Sequence, residues 1–285
     1  MNRFASGPKA HYYGKGDVSV YRLNRAPKTP SDTNPVFGAN VLMLLYGDAF
    51  WKTYLTGDNS GLIATDSMKN FIQRATMNFE GNALEEFCRF LAEKFLRKYA
   101  QVEGLQVSAD EIPYVAIGRG FAFAPSGPER AFARVELGRS CLIEAASGLK
   151  GFKLLRLAGS AFKGFVRDEY TTLPDLNNRP LHMWLDLEWT YTTPEGAFTK
   201  GAVTAHVRQV VHDVFTSFES GSIQQLIHQM GRKLLAEIAP IDEVHLEANN
   251  RTWDTIAEQG QDSGVYTDAR PPYGCLGLTL RRAQS

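Results

Sequence analysis

Residues His206–Ile238 read HVRQVVHDVFTSFESGSIQQLIHQMGRKLLAEI, and the fold turns on how they are parsed. Val207, Val210, Val211, Val214, Phe215 and Phe218 recur at helical spacing. After a short polar break the same spacing returns with Ile223, Leu226, Ile227, Met230, Leu234 and Ile238, until Pro240 stops it. Two amphipathic helices therefore follow one another directly. Before them lie two strand-like runs, Leu149–Leu157 and His182–Tyr191, the second with Met183, Leu185, Leu187 and Trp189 in alternation. After them come Glu243–Ala248 and Cys275–Leu280.

The first half has the same order. Asp17–Leu23 and Gly38–Tyr46 read as strands, separated by a Pro- and Thr-rich loop at Arg25–Pro35. A turn at Asp58–Gly61 leads to a helix start at Thr65–Asp66, and Leu84–Tyr99 is a long amphipathic helix. Ile112–Ile117 and Ala131–Leu137 read as two more strands across a Gly/Pro-rich connection at 118–128. Helices bunched between strand pairs predict an α+β fold, each half an antiparallel sheet with helices on one face. The predicted domains are residues 1–140 and 141–285, joined near 138–148. Open sheets leave edges that invite subunit pairing, so an oligomer is expected.

Composition narrows the function. Thirty-one basic and 31 acidic residues give zero formal charge, which argues against nucleic acid as the partner. Cys88, Cys141 and Cys275 are far apart and fit neither a zinc site nor a disulfide framework. The N-terminal stretch lacks an apolar core, and no long apolar run suggests a membrane span. A cytoplasmic protein is expected.

The stretch Gly159–Arg179, GSAFKGFVRDEYTTLPDLNNR, carries the strongest hint of chemistry. Phe162 offers a flat apolar face. Arg179, folded back beside it, offers a forked cation able to hold a planar anion by two parallel hydrogen bonds. A stacking ring beside such a fork suits a flat, negatively charged heterocycle. The stretch at 265–274, VYTDARPPYG, reads as a proline-rich loop with a packing role.

Several blocks together resemble the cofactor-free urate oxidases (uricases): YGKGDVSVYRL at 13–23, TGDNSGLIATDSMKN at 56–70, FKGFVRDEYTTLPDLNNR at 162–179 and SGSIQ at 220–224, with an asparagine near 250. The resemblance implies two tandem tunnelling-fold (T-fold) domains, assembled as a homotetramer around a tunnel with active sites at subunit interfaces. It implies cofactor-free oxidation of urate by O2 to 5-hydroxyisourate with release of hydrogen peroxide, without metal. It also implies roles. Phe162 stacks on urate and Arg179 forks onto it; Ile223 and Gln224 complete the in-plane grip through a backbone N–H and a side-chain amide. Thr65 and Asp66 reach in from a neighbouring subunit, and Lys15 works with Thr65. Asn250, or Asn249 in the alternative register, lies over the substrate plane where oxygen or water sits.

These residue types suit that chemistry. Urate is a flat monoanion at neutral pH, and an amide can meet one acceptor and one donor on its edge together. A lysine with a desolvated, lowered pKa, relayed through Thr65, would serve as the base. The chain departs from the family at Thr252, where many members carry a histidine. A hydroxyl passes a proton along a chain but does not hold one near neutral pH. The expected relay is therefore Lys15–Thr65–water. Two other readings stand beside this one. One is a urate-binding homologue silenced by Thr252; the other is a T-fold enzyme handling a different purine or a pterin.

Overall fold

A computed structural model describes residues 11–25, 35–118, 122–198, 203–251, 253–260 and 263–283. Two compact units emerge: residues 1–148 with 190–200, and residues 149–189 with 201–285. The loop expected at Arg25–Pro35 falls largely outside the described residues, as does Thr252.

The first unit contains β1 (Tyr13–Leu23), β2 (Val36–Tyr46), a short helix α1 (Trp51–Thr56), α2 (Thr65–Thr76), α3 (Leu84–Lys98), β3 (Gly104–Glu111), β4 (Tyr114–Ala116), β5 (Phe123–Pro125) and β6 (Arg130–Gly138). β1, β2, β3 and β6 pair antiparallel in that order. α2 packs on β1, and α3 packs on β3 and β6. Alternation explains the layering: Val41, Met43 and Leu45 of β2 are fully buried, as are Leu105 and Val107 of β3 and Phe87, Leu91 and Phe95 of α3. Each such side chain contributes about 1.5–3 kcal/mol by leaving water. Gly14 shows how tightly β1 sits, since a Cβ there would lie 1.9 Å from the Met43 carbonyl oxygen.

Two sequence expectations need correction in this unit. The third sheet strand is Gly104–Glu111, ahead of the apolar run Ile112–Ile117. Of that run only Tyr114–Ala116 is strand, and it pairs with β5 as a separate two-stranded ribbon. Pro113 interrupts the run, while Leu105, Val107 and Ala109 already supply the buried face of β3. β1 also begins earlier than Asp17, so Lys15 lies within the strand.

The second unit takes the last residues of β7 (Leu142–Arg156), then β8 (Leu181–Tyr191), α4 (Val203–Ser217), α5 (Ile223–Glu237), β9 (Ile241–Asn250), β10 (Thr255–Gln259), β11 (Ser263–Tyr266) and β12 (Gly274–Arg281). Its sheet order is β7-β8-β9-β12, with β9 and β12 antiparallel from Asn250 opposite Gly274 to Glu243 opposite Arg281. α5 packs against β9, β12 and α4. Leu226, Ile227, Met230 and Leu234 of α5 are buried, as are Val244, Leu246 and Ala248 of β9. Of the expected loop at 265–274, Val265 and Tyr266 lie in β11 and Gly274 in β12. Between them the Tyr273 ring lies 3.9 Å from the Arg251 guanidinium, and Arg270 forms an exposed ion pair with Asp254 at 2.8 Å. No helix among the described residues is long and apolar enough to cross a membrane.

Candidate functional site

In the second unit the backbone of Ser160–Phe162 is a seam between two other segments. On one side Phe162 exchanges hydrogen bonds with Leu176 at 2.7 and 2.9 Å, and Arg179 N–H donates to the Ser160 carbonyl at 2.9 Å. On the other, Ala161 N–H donates to the Ser220 carbonyl at 2.7 Å, and Ser220 N–H to the Gly159 carbonyl at 2.9 Å. The seam fixes the ring of Phe162, the guanidinium of Arg179 and the residues leading into α5 relative to one another. Arg156 bolts it shut. Its Nη1 donates to the carbonyls of Gly159 (2.9 Å) and Phe218 (3.1 Å), while its guanidinium lies 4.8 Å from the Phe215 ring. Asn178 Oδ1 accepts from Gly159 N–H at 2.7 Å, one residue before Arg179.

Phe162 and Arg179, seventeen positions apart in the chain, are thus brought together: the Arg179 Cζ is 5.5 Å from the Phe162 ring centroid. Arg179 is half-buried, and burial pulls its pKa below the usual arginine value. An arginine nevertheless stays charged. Its Nε is buried with no hydrogen-bond partner, and no carboxylate among the described residues pairs with the guanidinium. A cation left unpaired beside an aromatic face is poised for an anion from outside.

α5 begins at the same seam. Ser222 caps it, its Oγ accepting from Gln225 N–H at 3.1 Å, while Gln225 Oε1 accepts from Gly221 N–H at 2.8 Å. Ile223 and Gln224 occupy the first helical turn, whose N–H groups have no partner within a helix. Ile223 is buried, so its side chain anchors the turn; Gln224 is exposed, and its amide has no hydrogen-bond partner among the described residues. Both are positioned to present donors at the positive end of the helix dipole. Asn250 ends β9 opposite Gly274, in the same alternation set as Val244, Leu246 and Ala248 and so on the side where α5 packs. Asn249 faces the other way with His245, and its Oδ1 accepts from Cys275 Sγ at 3.9 Å.

The remaining candidates gather in the first unit. Lys15 sits opposite Met43, just before the register of β1 slips between Lys15 and Val18. Asp17 takes a left-handed backbone at φ 57°, and Asn40 Nδ2 secures it by donating to Asp17 Oδ1 at 2.6 Å. Such a bulge re-aims the side chains beside it. Tyr13, two residues earlier, accepts from Ile63 N–H through its hydroxyl at 3.0 Å and so ties β1 to the residues leading into α2. Thr65 is the first residue of α2; it is exposed, with no partner for its hydroxyl among the described residues. Asp66 is bound by Lys69 at 2.5 Å and Asn70 at 2.9 Å. The bond and charge of Lys69 hold its carboxyl below the usual range, with Lys15 adding in the same direction. Lys15 itself makes no hydrogen bond or ion pair among the described residues.

Two residues at the seam carried no role in the sequence reading. Arg156 had no local signal, because its partners Phe218 and Ser220 lie 62 and 64 residues on. Phe165 stood in plain sight within the 162–179 block. Its ring stacks on Phe162, with centroids 5.0 Å apart and planes inclined by 16°.

Two units, each a sheet with helices on one face, define a tandem T-fold protein. The uricase family profile matches residues 11–143 and again 145–276, and the chain belongs to the uricase family. It is 37% identical to a uric acid degradation bifunctional protein of Bacillus sp. (strain TB-90) over 94% of its own length, and spans 60% of that relative. It is 34% identical to a uricase of Haloferax volcanii, covering 95% of this chain and 97% of that one. Among solved structures, a hyperthermostable variant of Bacillus sp. TB-90 urate oxidase superposes with a TM-score of 0.85 at 35% identity, covering 96% of this chain and all of that one. A uricase from Bacillus fastidious also gives 0.85, at 34% identity over 96% of this chain and 94% of that one.

Proposed function

We propose that this protein oxidises urate with molecular oxygen and water to 5-hydroxyisourate and hydrogen peroxide. The observation that carries the reading is the unpaired, half-buried guanidinium of Arg179 beside the ring of Phe162, at the seam where α5 begins. Urate stacks on Phe162, Arg179 supplies two donors to its edge, and the Ile223 backbone N–H with the Gln224 amide completes the in-plane grip. Asn250 faces the open side of the ring and holds oxygen or water there. Lys15, through Thr65, takes the proton that leaves urate doubly deprotonated. The dianion then yields two electrons to O2, which leaves with two protons as hydrogen peroxide. Water adds at C5, so atoms and electrons balance without a metal or flavin.

The active form is a homotetramer with sites at subunit interfaces, where Thr65 and Asp66 reach the substrate held by a neighbouring copy. The exposure of both residues supports this, as do the sheet-edge positions of β1 and β12. The expected compartment is the cytoplasm. The test is aerobic urate consumption by purified, metal-stripped protein, with oxygen uptake and peroxide followed together. Equal molar loss of urate and oxygen with matching peroxide is expected. Saturable urate binding without consumption would leave a silent binding homologue, and neither binding nor turnover would overturn the reading.

A further inference from the structure

The stack of Phe165 on Phe162 is not an isolated contact. Gly164 turns the chain between the two rings with φ 74°, a conformation any side chain would strain. Its N–H is fixed by Asp175 Oδ1 at 3.1 Å. The same Asp175 oxygen pairs with Arg167 at 3.3 Å, and Arg167 also donates to the Leu173 carbonyl at 3.3 Å. The Arg167 guanidinium lies 4.9 Å from the Phe165 ring. Asp175 itself precedes Leu176, whose backbone is bonded to Phe162. The result is a closed loop whose two arms hold four groups in series: Arg179, Phe162, Phe165 and Arg167.

We propose that Phe165 is a positioning residue for the substrate, acting through Phe162. A phenyl ring has two faces, and parallel stacking by Phe165 occupies one of them. A flat ligand is confined to the other, and the plane of Phe162 is set before it arrives. Arg167 and Asp175 keep Phe165 in place, so the platform is a supported two-ring stack. The inference rests on the proposed urate chemistry and adds to it a residue that never touches substrate. Its effect falls on binding, because the plane of the platform governs how well Arg179 and Gln224 meet the ligand edge; the oxygen chemistry on the open face is untouched.

The experiment is steady-state urate oxidation by the unsubstituted protein and by Phe165→Ala, Phe165→Leu and Phe165→Tyr, with melting temperatures alongside. Phe165→Leu keeps apolar volume but loses the parallel ring, so it stands in should the alanine variant fail to fold. The expected result is a rise in KM of roughly two- to tenfold for the alanine and leucine variants, kcat within about twofold, and recovery in Phe165→Tyr. An unchanged or lowered KM, or a loss carried by kcat, would overturn the positioning role while the function stands. Failure of the unsubstituted protein to turn over urate would overturn the function, and the inference with it.

Discussion

The two groups of candidate residues are built in opposite ways. In the second unit the Phe162–Arg179 group is locked by backbone hydrogen bonds on both sides of Ser160–Phe162, by the Arg156 bolt and by a capped helix. In the first unit Lys15, Thr65 and Asp66 stand on the rim of a sheet and at the start of a helix. Thr65 and Asp66 are exposed, and neither Lys15 nor the Thr65 hydroxyl makes a hydrogen bond or ion pair among the described residues, although the Lys15 charge is felt at Asp66. Pre-organisation is what tight orientation of a rigid ligand needs, because ordering the groups has already been met by folding. A proton relay needs freedom to exchange protons and completes itself only once substrate and neighbour are present. The contrast supports the proposal that one group binds the ligand and the other transfers the proton.

The sharpest way to break that division is Lys15→Met. Losing a general base lowers rate by about 10²–10⁴-fold, and the loss should appear in kcat with KM close to the parent value. Full turnover across neutral pH would remove Lys15 from the relay. Arg179→Ala should do the reverse. Deleting two charge-assisted donors to an anion, each worth about 1.5–3 kcal/mol, should lower kcat/KM by about 10²–10⁴-fold, chiefly through weaker urate binding in a titration. A fall in kcat with KM intact would mean the two groups share their work. A milder probe is Ser222→Ala, which removes the cap of α5 and should lower stability by about 1 kcal/mol in denaturant titration. Since that cap also holds the first turn, a rise in KM of only a few-fold should accompany it; a larger effect would make the cap part of the grip itself.

The helices were legible because each buries one continuous stripe. Leu84–Lys98 and Ile223–Glu237 follow closely from the spacing of their apolar residues. β3 was harder to see. Gln106, Ser108 and Asp110 are weak strand formers, and the more apolar run at 112–117 drew attention one turn too late. β1 was begun too late, at Asp17, because Gly14 and Gly16 flank Lys15 and are poor strand formers, whereas the slip in the β1–β2 register accommodates Lys15 inside the strand. Residue types at the candidate site were readable from blocks 13–23, 56–70, 162–179 and 220–224. Their support was not. Arg156 reaches across more than sixty residues to its partners, and the Phe165 stack depends on a backbone turn at Gly164 that composition alone does not orient.

The division of labour is tested most directly by mixing the two crippled forms. Lys15→Met and Arg179→Ala proteins, each strongly impaired at urate concentrations well below KM, would be unfolded, combined in equal amounts and refolded together, then assayed for urate oxidation at such a concentration. If relay and grip at each site come from neighbouring copies, random assembly restores intact sites, and activity should return to roughly a quarter of the parent level. Activity no higher than that of either variant refolded alone, while each still assembles, would contradict a site completed by a second copy.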